Sequence, residues 1–359
     1  ERLDNQLLEL QRMELIRETA RVPEPQYTFH HTLTHEATYN TILLRQRRAL
    51  HRRAAEVIEQ LHGDGTLAVA PILAHHYLEG NAPDRALPYL VAAAGAALRL
   101  NATDEAIAHY ERALPIALGA AEASEQIAAL YTCRGRALEL QSRFSEANAS
   151  YEDLERLAHE RDDRRLELAA LIAQGKLRAN VTPFFDAAAG RALMERALAL
   201  AETLGDRAAE VRILWNLLNV DRFDFNTSDR AVANGERALA IARELELTEE
   251  TAYLLNDLGQ LYGTLGQLEQ GRVLLAEAQT YWRALDNQPM LADSLSAFAV
   301  WTAISGNLPA ALAATEEALA VATRIGNVWG QAFAGGTRGL VLGYLGRFGE
   351  GIEGLYRGI

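Results

Sequence analysis

Three of the chain's nine histidines fall within six residues of the stretch YTFHHTLTHEATY, residues 27–39. His31 and His35 are four apart, so on a helix they would share a face, and Glu36 comes directly after. Imidazoles and a carboxylate so placed are the raw material of a zinc site or an acid–base pair. The zinc-protease signature is His-Glu-x-x-His, however, and after His35-Glu36 the chain runs Ala37, Thr38, Tyr39, Asn40, without the second histidine. A second pair, His75-His76, lies in an apolar helical stretch and reads as packing rather than as ligands. The single lysine, Lys176, sits in QGKLR, with Leu177 where a phosphate-cradling P-loop needs Ser or Thr. The lone Cys133 excludes an internal disulfide, fits a reducing cytoplasm and reads as a small buried apolar residue. With no nucleophile elbow and no Gly-rich dinucleotide fingerprint either, the chain is expected to be non-catalytic, with no metal and no cofactor of its own.

Composition narrows the partners. The 359 residues are 49% hydrophobic and 23% charged, a globular balance, and carry a formal charge of −13. Residues 1–62 hold 9 Arg and 9 acidic residues, so the whole deficit lies downstream. Direct binding to nucleic acid or to an anionic membrane is therefore not expected. The one basic cluster, Arg45, Arg47, Arg48, Arg52 and Arg53, has helical spacing and lacks interleaved aromatics. It reads as a solvated helix face opposite Leu44, Leu50 and Val57. The longest uncharged run, Ser294 to Thr315, is broken by Ser305-Gly306-Asn307 and Pro309, so it predicts two helices and a turn, not a membrane span.

The elements that must position any site emerge from self-similarity. LLNDLGQLYGTLGQLEQGRVLLAEAQ (254–279) aligns with SLSAFAVWTAISGNLPAALAATEEAL (294–319). Along the chain a first small position recurs at Ala94, Gly135, Gly175, Asn219, Gly259, Ala299 and Gly339, in steps of 41, 40, 44, 40, 40 and 40. Each unit shows apolar residues at spacings of three and four, a turn that often carries glycine (Gly266, Gly306), and a second such helix. Small residues mark where two helices approach closely. The step of 44 comes from NVTPFFDAAAG (180–190), where Phe184 and Phe185 are expected to pack as a hydrophobic staple. Of the 26 glycines, 11 lie between 326 and 358, several inside predicted helix, so the last repeat is expected to be the least stable.

Residues 1–62 leave this frame. A helix is expected from Asp4 to Glu18, then a turn and a short strand in ARVPEPQYTFH, then the basic helix ILLRQRRALHRRAAEVIEQL closed by HGDG. This pattern predicts a small winged-helix-like domain over 1–62, a connecting helix within 63–82, near 67–79, and about seven helix pairs over 83–359, the last incomplete. The fold class is all-α.

The repeat unit, with Leu255, Leu258, Gly259 and Tyr262 ahead of Gly271, Leu275 and Ala278, resembles the tetratricopeptide pattern. At about 40 residues per unit it is similar to the longer repeats of the maltose-regulon activator and related bacterial regulators. Phe29, His31, Leu33, Glu36 and Tyr39, then Arg48, Leu50 and His51, resemble the junction between winged helix and helical repeats in bacterial STAND-type signalling ATPases. LAHHYLEGNAPDRALPYLVAAAGAAL (73–98) and NATDEAIAHYERAL (101–114) resemble the first helices on the C-terminal side of that junction.

The resemblance implies a right-handed superhelical solenoid that serves as a cytoplasmic sensor and scaffold. An ATPase module upstream would bind ATP or ADP, and a separate effector would be controlled, as in regulators with LuxR-type DNA-binding domains or nucleotide cyclases. It implies that His31 contacts the phosphates of ADP held by that module, a sensible task for a side chain that donates a hydrogen bond and can become cationic. It also implies a concave groove lined by the first helix of each pair, where a protein or peptide partner would bind. Three residues before each small position stand Val91, Thr132, Ile172, Asn216, Asn256, Ser296 and Gly336. Asn216 and Asn256, one repeat apart, offer donor and acceptor to an extended main chain. Tyr253, Gln260 and Phe223 belong to the same expected surface, with Arg136, Glu139 and Lys176 toward the N-terminus. A free-standing tetratricopeptide adaptor is the alternative reading.

Overall fold

The computed structural model describes residues 2–20, 25–120, 123–179, 182–223 and 228–357. The chain forms two compact units, 1–141 and 142–359. Among the described residues there are eighteen α-helices and one two-stranded sheet, and no strand lies beyond the first unit.

The first unit opens with α1 (Arg2–Arg12), β1 (Ile16–Ala20) and β2 (Gln26–Phe29). Helix α1 stops six residues short of the expected end at Glu18. Glu14 takes a left-handed backbone, φ 55°, which breaks the helix. The chain then enters an antiparallel hairpin in which Ile16 pairs with Phe29, Arg17 with Thr28 and Glu18 with Tyr27. The expected single strand is thus half of a pair; part of the turn, 21–24, lies outside the described residues.

Next come two helices, α2 (Thr32–Thr41) and α3 (Leu44–His62), then a 3-10 segment (Gly63–Val69) and α4 (Ala70–Glu79), the expected connecting helix. On α3, Arg45, Arg48, Arg52 and Arg53 are exposed as expected. Leu44 and Leu50 are exposed too, at 60% and 57%, so they do not form the buried side that the spacing had assigned them. Only Ala55 of α3 is buried, while Arg47 turns inward and lies 4.0 Å over the Tyr39 ring. Helices α5 (Pro83–Arg99), α6 (Thr103–Gly119) and α7 (Ser124–Leu140) complete the unit, each packed on its predecessor from α3 onward.

The second unit continues with α8 (Phe144–Arg161), α9 (Arg164–Ala179), α10 (Ala187–Leu204), α11 (Arg207–Phe223), α12 (Ser228–Glu244) and α13 (Thr248–Thr264). It ends with α14 (Leu268–Ala284), α15 (Gln288–Ile304), α16 (Leu308–Arg324), α17 (Val328–Tyr344) and α18 (Phe348–Arg357). The uncharged run falls on α15, a turn and α16, as expected. Boundaries have local causes. Asp186, Asn287, Asn307 and Asn327 each accept a hydrogen bond from the backbone N–H three residues on, satisfying a first-turn donor. Gly266 and Gly306 take φ of 78° and 90° at the turns inside their pairs.

Every residue of the small-position series falls in the first helix of its pair. Gly259 of α13 and Gly271 of α14 face each other so closely that a Cβ built on Gly271 would stand 2.6 Å from the Gly259 carbonyl oxygen. One continuous apolar core runs from Leu168 to Ala334, with Trp282 fully buried at its centre. Repeats stack because no single pair can bury its apolar face. Among the described residues, successive first helices, α9, α11, α13, α15 and α17, touch one another directly, and contacts of that extent are not seen between successive members of α10, α12, α14 and α16. The first helices therefore form the inner row.

In the lengthened turn of the 44-residue step, Phe184 is half-buried and Phe185 is 42% exposed. Thr182 holds that turn instead of an aromatic staple, by donating to the Leu177 carbonyl and accepting from Phe184 N. Residues 180–181 lie outside the described residues. Cys133 is half-buried rather than buried, and its thiol shares a hydrogen bond with Tyr110.

Candidate functional site

The inner row of the second unit carries a cluster of aromatic, amide and carboxylate side chains centred on α13. The Trp215 indole N–H donates to Asp257 Oδ2 at 2.6 Å, and Asn219 Nδ2 donates to the same oxygen at 3.5 Å. Arg222 Nη1 lies 3.6 Å from Asp257 Oδ1. Asn256 Nδ2 donates to Asp293 Oδ2 of α15 at 3.3 Å. Its own Oδ1 is buried and has no hydrogen-bond partner. The Tyr253 ring stacks on Trp215 at 5.0 Å and meets the edge of Trp282 at 4.8 Å.

The electrostatics derive from burial. Asp293 has its carboxyl pushed above the ordinary carboxylate range, chiefly by desolvation and further by the Asp257 charge; the Asn256 hydrogen bond and Arg222 oppose this. Burial likewise pushes the Tyr253 phenol up, although Asn287 hydrogen-bonds to it. The cluster combines, among the described residues, aromatic rings, amides, carboxylates and a guanidinium. Among the described residues no group of three or more His, Cys, Asp or Glu is arranged to hold a metal ion.

The fold brings only some of the residues expected from the sequence to this cluster. Tyr253 and Gln260 lie half-buried on α13. Asn216 is half-buried and donates to the Arg212 carbonyl of its own helix at 2.7 Å. Asn256 is only 2% exposed, so it belongs to the repeat core rather than to the open groove surface where it was expected to meet a peptide main chain. In α13 and α15 the position three before the small residue faces the seam between successive first helices, and Ser296 at that place in α15 is also buried, whereas Asn216 at that place in α11 is only half-buried. Lys176 is exposed on α9. The Phe223 side chain lies outside the described residues. Arg136 belongs to the first unit and pairs with Glu139 at 3.0 Å on α7.

Trp215, Asp257, Arg222 and Asp293 were not singled out from the sequence, and Asn219 was named only as a small position of the repeat. One signal for them was available. Asp293 is the sole charged residue in the seventeen of α15, and a carboxylate in so apolar a helix needs a partner.

His31 is exposed at the start of α2, where its backbone caps the helix and its ring meets the edge of His30 at 4.7 Å. The histidines that do gather are others. His51 Nδ1 lies 2.8 Å from His76 Nδ1, and the Tyr39 hydroxyl lies 2.9 Å from His51 Nε2. His75 is exposed rather than packed in the stack.

No protein-family profile matches the chain. A curated relative, an uncharacterised protein of Rhizobium meliloti (strain 1021), is 33% identical over 90 residues, which cover 25% of this chain and 9% of that protein. Solved structures give the fold. A Signal Transduction ATPase with Numerous Domains (STAND) protein with a tetratricopeptide repeat sensor from Pyrococcus horikoshii aligns over 98% of this chain and 57% of its own, with TM-score 0.61 and 13% identity. The apo quorum sensor NprR of B. thuringiensis aligns over 99% and 93%, with TM-score 0.58 and 12% identity. A Rap protein complexed with Competence and Sporulation Factor aligns over 76% of each chain, with TM-score 0.53 and 14% identity. The helices, paired and stacked, form a tetratricopeptide-like solenoid.

Proposed function

We propose that the chain is the ligand-binding sensor and scaffold region of a STAND-type signalling ATPase, and that a peptide or a protein segment binds on the inner row of α11, α13 and α15. The observation that carries the reading is the Trp215–Tyr253–Asn256–Asp257–Asp293 cluster. It gathers aromatic surface and polar groups on the row that a solenoid turns toward its partners. The similarity to a STAND protein with a tetratricopeptide sensor, and to a Rap protein solved with a bound factor, supports both halves of it.

On this reading the region has no catalysis of its own. Its first 62 residues, with the β1–β2 hairpin as the wing, form the winged-helix-like domain, and 63–82 connect it to the repeats. An ATPase module preceding residue 1 contacts His31 through the phosphates of ADP. Ligand binding on the repeats then controls ATPase and effector activity in the cytoplasm.

The test of the groove is site-specific photo-crosslinking. A photoreactive residue is placed at Gln260 on α13, or at Val273 on α14, which is 55% exposed, and the chain is mixed with a random pentapeptide library. Peptides crosslinked at 260 and not at 273, and displaced by the same unlabelled peptides, are the expected result. Equal labelling at both positions rejects the groove. The ATPase half is tested in the full-length protein, where His31→Ala should loosen ADP and raise basal activity. An unchanged ADP affinity would leave His31 a capping residue only.

A further inference from the structure

The cluster on α13 holds more acceptors than donors. Two carboxylates, Asp257 and Asp293, are faced by one guanidinium, Arg222, and by single N–H donors from Trp215, Asn219 and Asn256. Each carboxylate offers about four acceptor sites. Asn256 adds another: its Oδ1 has no partner, in a side chain 2% exposed, beside the same Asp293 carboxylate to which its Nδ2 donates. An amide flip does not repair this, because it would turn the carbonyl toward the carboxylate. A buried acceptor left unmade costs about 1–3 kcal/mol, and among the described residues no further donor reaches this seam. The stacked Trp215 and Tyr253 rings lie beside it.

From this donor deficit, and resting on the peptide-binding reading above, we propose that the inner face of α11–α13–α15 reads a positively charged side chain of its peptide, an arginine. A guanidinium carries five N–H donors in a plane, stays charged, pairs bidentately with carboxylates and stacks on aromatic rings. Its fork suits the carboxylates, and its flat face suits the Trp215–Tyr253 ring pair beside them. Lysine supplies charge without the planar fork and fits less well. The raised Asp293 carboxyl fits the same picture, since an approaching cation would favour its charged form.

The test uses pentapeptides selected on the full chain in the library experiment. Each arginine is replaced in turn by citrulline, a neutral near-isostere, and by lysine. Affinities are measured for the native chain and for Asp257→Asn and Asp293→Asn. One arginine is expected whose change to citrulline weakens binding about ten- to hundredfold, with lysine intermediate. That ratio should fall toward one in either Asn variant. Peptides that bind equally with arginine or citrulline would overturn the inference while leaving the peptide groove standing, and so would an unchanged ratio in both variants. Spermidine competing as tightly as the peptide would assign the acceptors to a small free cation, and would overturn it as well. Binding of no pentapeptide at all overturns this inference and the groove together. The citrulline comparison needs no variant of the protein, so it decides the matter even where Asp293→Asn perturbs folding.

Discussion

Adding one methyl group at two glycines should have opposite effects, and the structure fixes both signs. A Cβ on Gly271 of α14 would stand 2.6 Å from the Gly259 carbonyl oxygen and 3.0 Å from Gly263 N. Both are backbone atoms of α13, so relief requires the helices to separate. Overpacking of this kind costs about 1–3 kcal/mol, and rigid backbone neighbours put Gly271 in the upper part of that range. Replacing a helix-interior glycine with alanine returns up to about 1 kcal/mol. Gly271→Ala should therefore destabilise the α13–α14 pair by about 1–2 kcal/mol. A Cβ on Gly336 of α17 would meet nothing within 4 Å, so Gly336→Ala collects only the propensity gain, about 0.5–1 kcal/mol. Native-state hydrogen exchange reads the two sites separately, because stability in a repeat stack is held largely by neighbouring repeats. Amides of α13 and α14 should exchange faster in the first variant, and those of α17 more slowly in the second. Slower exchange in Gly271→Ala, or faster exchange in Gly336→Ala, would refute close approach as the reason for the small-residue series.

Three further outcomes are expected. Arg191→Ala should cost about 1.5–3 kcal/mol in urea melts, because it removes a charge-assisted hydrogen bond from the fully buried Asp221 carboxylate, which retains Arg230 at 3.6 Å, and a further Asp221→Asn change should recover part of the loss; no recovery would contradict the pairing. Burial holds the His51 and His76 imidazoles below their ordinary value, each also depressed by neighbouring imidazoles and, for His51, by Arg47, with Glu79 opposing. The fold thus favours their neutral forms: that stability is full above the ordinary histidine value of 6.5 and is lost as pH falls through and below it, so the urea midpoint should drop between pH 7.5 and 5.0. A drop as large in the double variant His51→Gln with His76→Gln would dismiss this pair as the cause. Exchange should also be faster in α17 and α18 than in α13, given the glycines at 335, 336 and 343 inside α17 and the exposed Val328, Trp329 and Phe348; equal protection would contradict the low stability of the last pair.

How much of this was written in the sequence depends on the range of the interaction. The repeat was legible because close helix approach demands a small residue at one fixed place, and Ala94, Gly175, Gly259 and Gly339 supply it at nearly constant spacing. The start of the chain was not. Leu15 and Ile16 continue the apolar spacing of α1, and only the left-handed turn at Glu14 and the pairing of Ile16 with Phe29 make that stretch a strand. At the site, Tyr253 and Gln260 could be placed from register alone. The burial of Asn256 could not, because it depends on Asp293, 37 residues away on the next first helix. Trp215 and Asp257, 42 residues apart, meet for the same reason: the period brings equivalent faces together, but it does not say which polar residues will find each other there.

The groove is tested most directly by mapping where a bound peptide protects the chain. A pentapeptide selected on the full chain is added at saturation, and hydrogen exchange is monitored segment by segment. Protection is expected over Trp215–Arg222 of α11, Tyr253–Gln260 of α13 and the first turns of α15 around Asp293, with α12, α14 and α16 unchanged. Protection confined to α12, α14 and α16, or to the first unit, would contradict the assignment of ligand binding to the inner row.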